Sequence, residues 1–188
     1  MKHILPILTL TTLTAAAFAD ASAPVAAASG LSYNNVTVSY SRFSASGFSG
    51  HANAWMLSAN ALIGNSNVIV SGSTFIGGDL GNGGDTASIG YVFKNVGGFA
   101  DAVVSVGSNE TYSVALRKDL GSNFEAQLDY SRVLGEDVFG LAVGYSINKS
   151  LTVGLGYARS SHIDFSGAIE GADNVSLSAW TASVRYNF

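Results

Sequence analysis

Trp180-Thr181-Ala182-Ser183-Val184-Arg185-Tyr186-Asn187-Phe188 ends the chain, and its alternation decides how the rest is read. Successive side chains of a strand point to opposite faces. Trp180, Ala182, Val184, Tyr186 and Phe188 therefore share one face, and Thr181, Ser183, Arg185 and Asn187 share the other. A helical period would scatter both sets. The same pattern runs back through the chain. Phe124, Ala126, Leu128 and Tyr130 oppose Glu125, Gln127, Asp129 and Ser131; Phe139, Leu141, Val143 and Tyr145 oppose Gly140, Ala142, Gly144 and Ser146. One face is large and apolar, and the other is small or polar.

Extended to Val36, the alternation predicts about ten strands, near 36–44, 52–63, 67–76, 85–93, 99–106, 110–118, 123–133, 137–147, 151–161 and 175–188. A slip of one hairpin would give eight. The connections should alternate in length. Short ones are expected at Gly64-Asn65-Ser66, Lys94 to Gly98, Asp119 to Ser122 and Asn148-Lys149-Ser150. On the opposite side lie Ala45 to His51, Gly77 to Gly84, Gly107 to Asn109, Leu134 to Glu136 and His162 to Asn174, three of them long.

The chain has 188 residues, 12% of them charged, and no cysteine. Mean hydropathy is +0.29, apolar against soluble domains, where roughly a quarter of residues are charged. Past the N-terminus no apolar run approaches the ~20 residues of a membrane helix. Two all-β solutions hide so much apolar surface: a sandwich, or a barrel whose apolar face meets lipid. A sandwich exposes its polar face, and a face of Gly, Ala, Ser and Thr suits water poorly. It suits the lining of a narrow barrel, where small residues fit. The expected fold is a single up-and-down antiparallel transmembrane β-barrel. Aromatic residues fall at the strand ends, as interfacial girdles do: Tyr40, Trp55, Phe75, Tyr112, Tyr130, Phe139, Tyr157 and Trp180 at one end, and Phe93, Phe99, Phe124, Tyr145, Tyr186 and Phe188 at the other.

The N-terminus points to export. Lys2 and His3 precede an apolar stretch from Ile4 to Leu13, and Ala17-Phe18-Ala19 is a small-x-small cleavage site. The expected organisation is a signal peptide over 1–19, a flexible leader over 20–32, either a lumen plug, a tether or simply disordered, and the barrel over 33–188. The formal net charge of −4 argues against nucleic acid as a partner.

The terminal Phe188, preceded by Tyr186, Val184, Ala182 and Trp180 at alternate positions, resembles the carboxy-terminal signature of bacterial outer-membrane β-barrels. In size and pattern the chain is similar to the small OmpA/OmpX/opacity-type, porin-like barrels, though with about ten strands rather than eight. The resemblance implies an outer-membrane location. It also implies recognition of the last strand by the barrel-insertion machinery, with Tyr186 and Phe188 at the matching positions. Peptidoglycan binding of the OmpA kind is not among the properties the resemblance implies.

Four candidate sites emerge. Tyr-x-Arg recurs at Tyr40-Ser41-Arg42, Tyr130-Ser131-Arg132 and Tyr157-Ala158-Arg159. Arg42, Arg132 and Arg159 would face lipid and clamp lipopolysaccharide phosphates, or merely snorkel at the interface. Parity places Asp101, Arg117, Glu125, Asp129 and Arg185 in the lumen, as an ionic lock or the lining of a thin channel. Asp79, Asp85, Glu136, Asp164, Glu170 and Asp173 give an acidic mouth that attracts cations or bridges divalent ions, or are ordinary solvated loops. Ser160, His162, Asp164 and Ser166 suggest a lipid A hydrolase, but i, i+2 neighbours on a strand stand ~6.6 Å apart and their parity is inward. No cofactor or metal is expected. The sequence reads as a structural or narrow-pore protein touching outer-membrane lipids and lipopolysaccharide. A surface adhesin acting through 162–174 is the alternative, and an enzyme the third reading. Sequence leaves the oligomeric state open.

Overall fold

The computed structural model describes residues 31–47, 49–108, 110–133, 136–160 and 175–188. Ten strands follow one another: β1 (Asn35–Ala45), β2 (Ala52–Leu62), β3 (Val68–Gly78), β4 (Asn82–Val96), β5 (Ala100–Gly107), β6 (Thr111–Gly121), β7 (Phe124–Val133), β8 (Glu136–Ser146), β9 (Leu151–Ser160) and β10 (Leu177–Asn187). Each pairs antiparallel with its sequence neighbour, and β1 pairs with β10, so the sheet closes. The eight-stranded alternative is set aside. Most strands have 10 or 11 residues, the length that crosses a hydrocarbon layer at a tilt.

Side chains sort as the alternation requires. Val36, Val38, Leu141, Leu155, Val184 and Phe188 lie exposed on the outside. Thr37, Ser39, Ser58, Ser131 and Thr152 are buried inside. This inverts a water-soluble fold, whose buried face is the apolar one. Asn35 and Asn187, the starting and finishing ends of the ladder, sit together with the connections at 63–67, 97–99, 122–123 and 147–150. This end is termed inner and the opposite end outer.

Two expected connections are corrected. The predicted loop from Gly77 to Gly84 shrinks to residues 79–81, because β3 and β4 run on through the glycines. Gly78 has φ +103, and a Cβ there would fall on the Asn53 carbonyl, so only glycine permits this bend. Asp79 then ties the hairpin to β2: its side chain accepts from the Asn53 backbone N–H at 2.8 Å. Likewise Lys94 lies in β4, and the turn expected over Lys94 to Gly98 is confined to 97–99.

Glycine also governs how closely walls approach. A Cβ on Gly90 would stand 2.6 Å from the Val104 carbonyl oxygen and 2.7 Å from Ser105 Cβ, whereas one on Gly72 would meet only the Thr86 carbonyl at 3.5 Å. Gly90→Ala is therefore expected to destabilise the folded barrel by about 1–3 kcal/mol, as overpacking does. Gly72→Ala should be close to neutral, with urea unfolding of the micelle-embedded protein as the measurement.

Candidate functional site

The lumen is filled in layers. Toward the outer end Phe43, Ala54, Met56, Phe75 and Ala179 form a buried apolar cluster, with Ala52 and Leu80 against it. Phe75 does not join the outer aromatic girdle as expected. It shares the inward parity of Ile69 and Ser73 and is buried.

The middle is polar. Ser41 bonds Thr181 at 2.8 Å, Ser73 bonds Thr86 at 2.7 Å and Ser105 bonds Ser113 at 2.6 Å, each pair linking neighbouring strands. Other buried groups in this layer have no hydrogen-bond partner among the described residues: the hydroxyls of Ser39, Ser58 and Ser131, Nε2 of Gln127, and both carboxyl oxygens of Asp129. A dry unpartnered polar group costs about 1–3 kcal/mol, more when charged.

The inner layer is ionic. Glu125 lies between Arg117 Nη2 at 3.0 Å and Arg185 Nη2 at 2.6 Å. A Cβ on Gly144 would stand 2.8 Å from Glu125 Oε1, so the glycine leaves room for this carboxylate over β8. Asp101 is held separately: Lys94 Nζ stands at 3.6 Å, and the Tyr33 hydroxyl donates to Asp101 Oδ2 at 2.6 Å. The expected lock thus consists of Arg117, Glu125 and Arg185. Asp129 belongs to no pair, because it lies four residues along β7 from Glu125, ~13 Å of strand, and rests against Gly140.

Tyr33 and Lys94 were missed as site residues. Tyr33 is 0% exposed. Lys94 Nζ sits 3.6 Å from its ring centroid and the Arg117 guanidinium 5.1 Å from it, while Arg117 Nη1 donates to the Ser32 carbonyl at 3.1 Å. Leu31, Tyr33, Ile69 and Val92 form a second apolar cluster. The leader expected over 20–32 therefore ends in a packed stretch at Leu31 and Ser32; its earlier residues and the signal peptide lie outside the described residues. Tyr33 shares the inward parity of Asn35 and Thr37, and that parity, carried two residues further back, was the available signal. Beside the segment a cavity of about 450 Å³ opens at the inner end, lined by Leu31, Ser32, Asn123, Lys149, Arg185 and Asn187 among others. On the lumen side of Glu125 and Arg185 a void of about 20 Å³ remains, bounded by Gln127, Thr152 and Ser183.

Outside, the outer aromatic belt packs ring to ring. Tyr40 lies 5.1 Å from Trp55, Tyr130 lies 5.2 Å from Phe139 and 6.5 Å from Tyr112, and Tyr157 lies 4.9 Å from Trp180. At the inner end Phe93, Phe99, Phe124, Tyr145, Tyr186 and Phe188 are exposed. Arg42, Arg132 and Arg159 all face outward, yet they are not equivalent. Arg132 pairs with Asp137 at 3.7 Å, and Tyr130 donates to the same carboxylate at 2.7 Å. Arg159 is 3.5 Å from Ser176 Oγ. Arg42 sits opposite Trp180 and Arg159 opposite Ser178, so the two flank β10.

Of the set Ser160, His162, Asp164 and Ser166, only Ser160 is among the described residues. Ser160 Oγ is buried and accepts the Leu177 N–H at 2.9 Å, and His162, Asp164 and Ser166 lie outside the described residues. No metal-binding group of three or more His, Cys, Asp or Glu occurs among the described residues. Of the expected acidic mouth, Asp79 is engaged with Asn53; Asp164, Glu170 and Asp173 are not described.

Glu125→Gln should leave two buried guanidinium groups facing a neutral amide, at a cost of about 3 kcal/mol. Asp129→Asn removes an unpartnered charge and should leave stability within about 1 kcal/mol of the parent, or raise it. Urea unfolding of both variants checks this, and equal losses would contradict the pairing described.

No family model matches the chain, and no curated protein does. Solved structures do. The NanC porin is 15% identical over 80% of this chain and 100% of that one, with a TM-score of 0.42. Neisserial surface protein A is 15% identical over 82% and 95%, with a TM-score of 0.38. Ail, the attachment invasion locus protein of Yersinia pestis, is 11% identical over 81% and 96%, with a TM-score of 0.33. Likenesses at these identities and scores carry no argument about what the chain does. By its own closed ladder and apolar exterior, the chain is a closed, ten-stranded, antiparallel up-and-down β-barrel.

Proposed function

We propose that the protein resides in a bacterial outer membrane and provides a narrow, hydrated, non-enzymatic route for small solutes or ions. One observation carries this reading: inside a shell of exposed Val, Leu and aromatic residues lies a polar layer where buried side-chain atoms of Ser39, Ser58, Gln127, Asp129 and Ser131 have no hydrogen-bond partner among the described residues. A lumen evolved only as a stopper would pair these groups or replace them with apolar ones. Water is the partner that suits them. The signal-peptide pattern of residues 1–19 in the sequence and the last strand, with Tyr186 and Phe188 facing outward, support the location and recognition by the insertion machinery.

Asp129 supplies the one carboxyl of the middle layer, among the described residues, that no cation pairs, and its ionised form should favour cations. In planar bilayers the folded protein is expected to give small, salt-dependent conductance steps with a cation preference. Asp129→Asn should reduce that preference severalfold. Complete silence at all voltages from demonstrably folded protein would overturn the route.

A second observation supports lipid contact. Arg42 and Arg159 face outward on either side of β10 beside Trp180 and Tyr157, a geometry suited to the phosphates of lipopolysaccharide. Replacing both by Gln should lower co-purifying lipopolysaccharide severalfold, whereas Arg132→Gln, already engaged with Asp137, should change it little. Unaltered lipid content in the double variant would remove the lipid role.

A further inference from the structure

We propose that residues 31–34 form a strap that latches the inner mouth of the lumen, with Tyr33 as the latching side chain and Arg117 as the joint. The proposal rests on the reading of the lumen as a route, and supplies what closes it.

The strap crosses the barrel. In a ring of ten strands, β1 stands opposite β6, with β5 next to it. Tyr33 leaves the start of β1, yet its hydroxyl reaches Asp101 on β5 at 2.6 Å, and its ring lies against Lys94 on β4 and Arg117 on β6. Its apolar edge and Leu31 pack on Ile69 of β3 and Val92 of β4, with Leu62 and Val103 adjoining. This covers the half of the mouth walled by β2 to β5. A buried tyrosine held by a carboxylate and two cations is a well-satisfied stopper: the ring excludes water, and the hydroxyl meets a charged acceptor.

The other half closes differently. There the 450 Å³ cavity runs in beside Leu31 and Ser32 and ends at Glu125 and Arg185, where the Arg117–Glu125–Arg185 bridge spans from β6 to β10. Arg117 belongs to both closures. Its Nη1 holds the Ser32 carbonyl at 3.1 Å and its Nη2 holds Glu125 at 3.0 Å. Strap and bridge are therefore coupled through one fully buried guanidinium.

The strap is also separable from the wall. Asn34 is its anchor, the carbonyl accepting from the Phe188 N–H at 3.1 Å and the side chain from the Leu62 N–H at 2.9 Å. Leu31 to Tyr33 lie before this anchor, and regular β1 pairing begins only at Asn35 with Asn187, so displacement of Tyr33 leaves all eleven β1–β10 pairs in place.

The absence of cysteine from the chain gives a clean test. Ser58 is 2% exposed, lies in the middle layer and has no partner among the described residues. In a Ser58→Cys background, refolded protein in micelles is exposed to a cationic methanethiosulfonate reagent, and labelling is followed by intact mass. Tyr33→Ala should speed labelling at least tenfold. Tyr33→Phe, which keeps the ring and loses only the bond to Asp101, should speed it less than threefold. Ser66→Cys, in an exposed inner turn, should label at one rate in every background. Heat-modifiable migration selects folded protein, and Tyr33→Leu replaces Tyr33→Ala should the alanine variant not fold. Equal labelling of Ser58→Cys with and without Tyr33 overturns the strap. Bilayer recordings separate the two readings. Faster labelling from variants that never conduct keeps the strap and removes the route; unchanged labelling from protein that conducts keeps the route and removes the strap.

Discussion

The pairing of β1 with β10 is the constraint on which the remaining structure depends. Hydrocarbon offers no hydrogen bonds, so a backbone lying in it must satisfy every N–H and C=O within the protein. Nine of the ten strand pairs are hairpins between sequence neighbours, and they would leave two long open edges. The eleven pairs from Asn35–Asn187 to Ala45–Leu177 remove both edges at once. With no edge left, the outer face is free to be apolar throughout, and polar side chains have only the interior to occupy.

Confinement then sets the chemistry of the interior. Charges placed there cannot reach bulk water easily, and their attraction strengthens as the surroundings dry. Glu125 answers this with two guanidinium groups and Asp101 with a lysine and a tyrosine hydroxyl. Room for these side chains comes from glycines on facing strands. Glu125 occupies the space above Gly144, and Asp129 the space above Gly140. Small residues on β8 and larger polar ones on β7 are thus two halves of one packing solution. The apolar cluster around Phe43, Met56 and Phe75 completes the filling toward the outer end.

Much of this was legible in the sequence, because parity alone sorts a strand with one large apolar face and one small or polar face. Arg117, Glu125 and Arg185 could be placed in the lumen from alternation without coordinates, and so could the outward Arg42, Arg132 and Arg159. What parity cannot give is which neighbours meet across the ring. That Arg185 on β10 reaches Glu125 on β7 depends on closure and on two intervening strands with glycine on the lumen face. The stretch from Gly77 to Gly84 misled because glycine serves loops and sharply bent strands alike. Arg132 looked equivalent to Arg42 and Arg159 until Asp137, directly opposite it on β8, claimed its charge. Tyr33 escaped notice because Ala- and Ser-rich text precedes it, and composition there outweighed its own alternation with Asn35.

Closure by the first and last strands also fixes how the molecule must come into being. Ser41 and Thr181, hydrogen-bonded across the seam, are 140 residues apart in the chain. Joining segments that far apart costs about 4 kcal/mol of loop-closure entropy, whereas the hairpins join neighbouring strands across far shorter separations, β9 to β10 being the longest at residues 161–176. The hairpins can therefore form early and the seam last, since contacts between distant residues are slow to make. Until it forms, β1 and β10 each present an unpaired edge flanked by apolar side chains, the arrangement most prone to pairing with a foreign strand. The interval before closure is the most vulnerable moment in the life of this chain, and it ends in a single step.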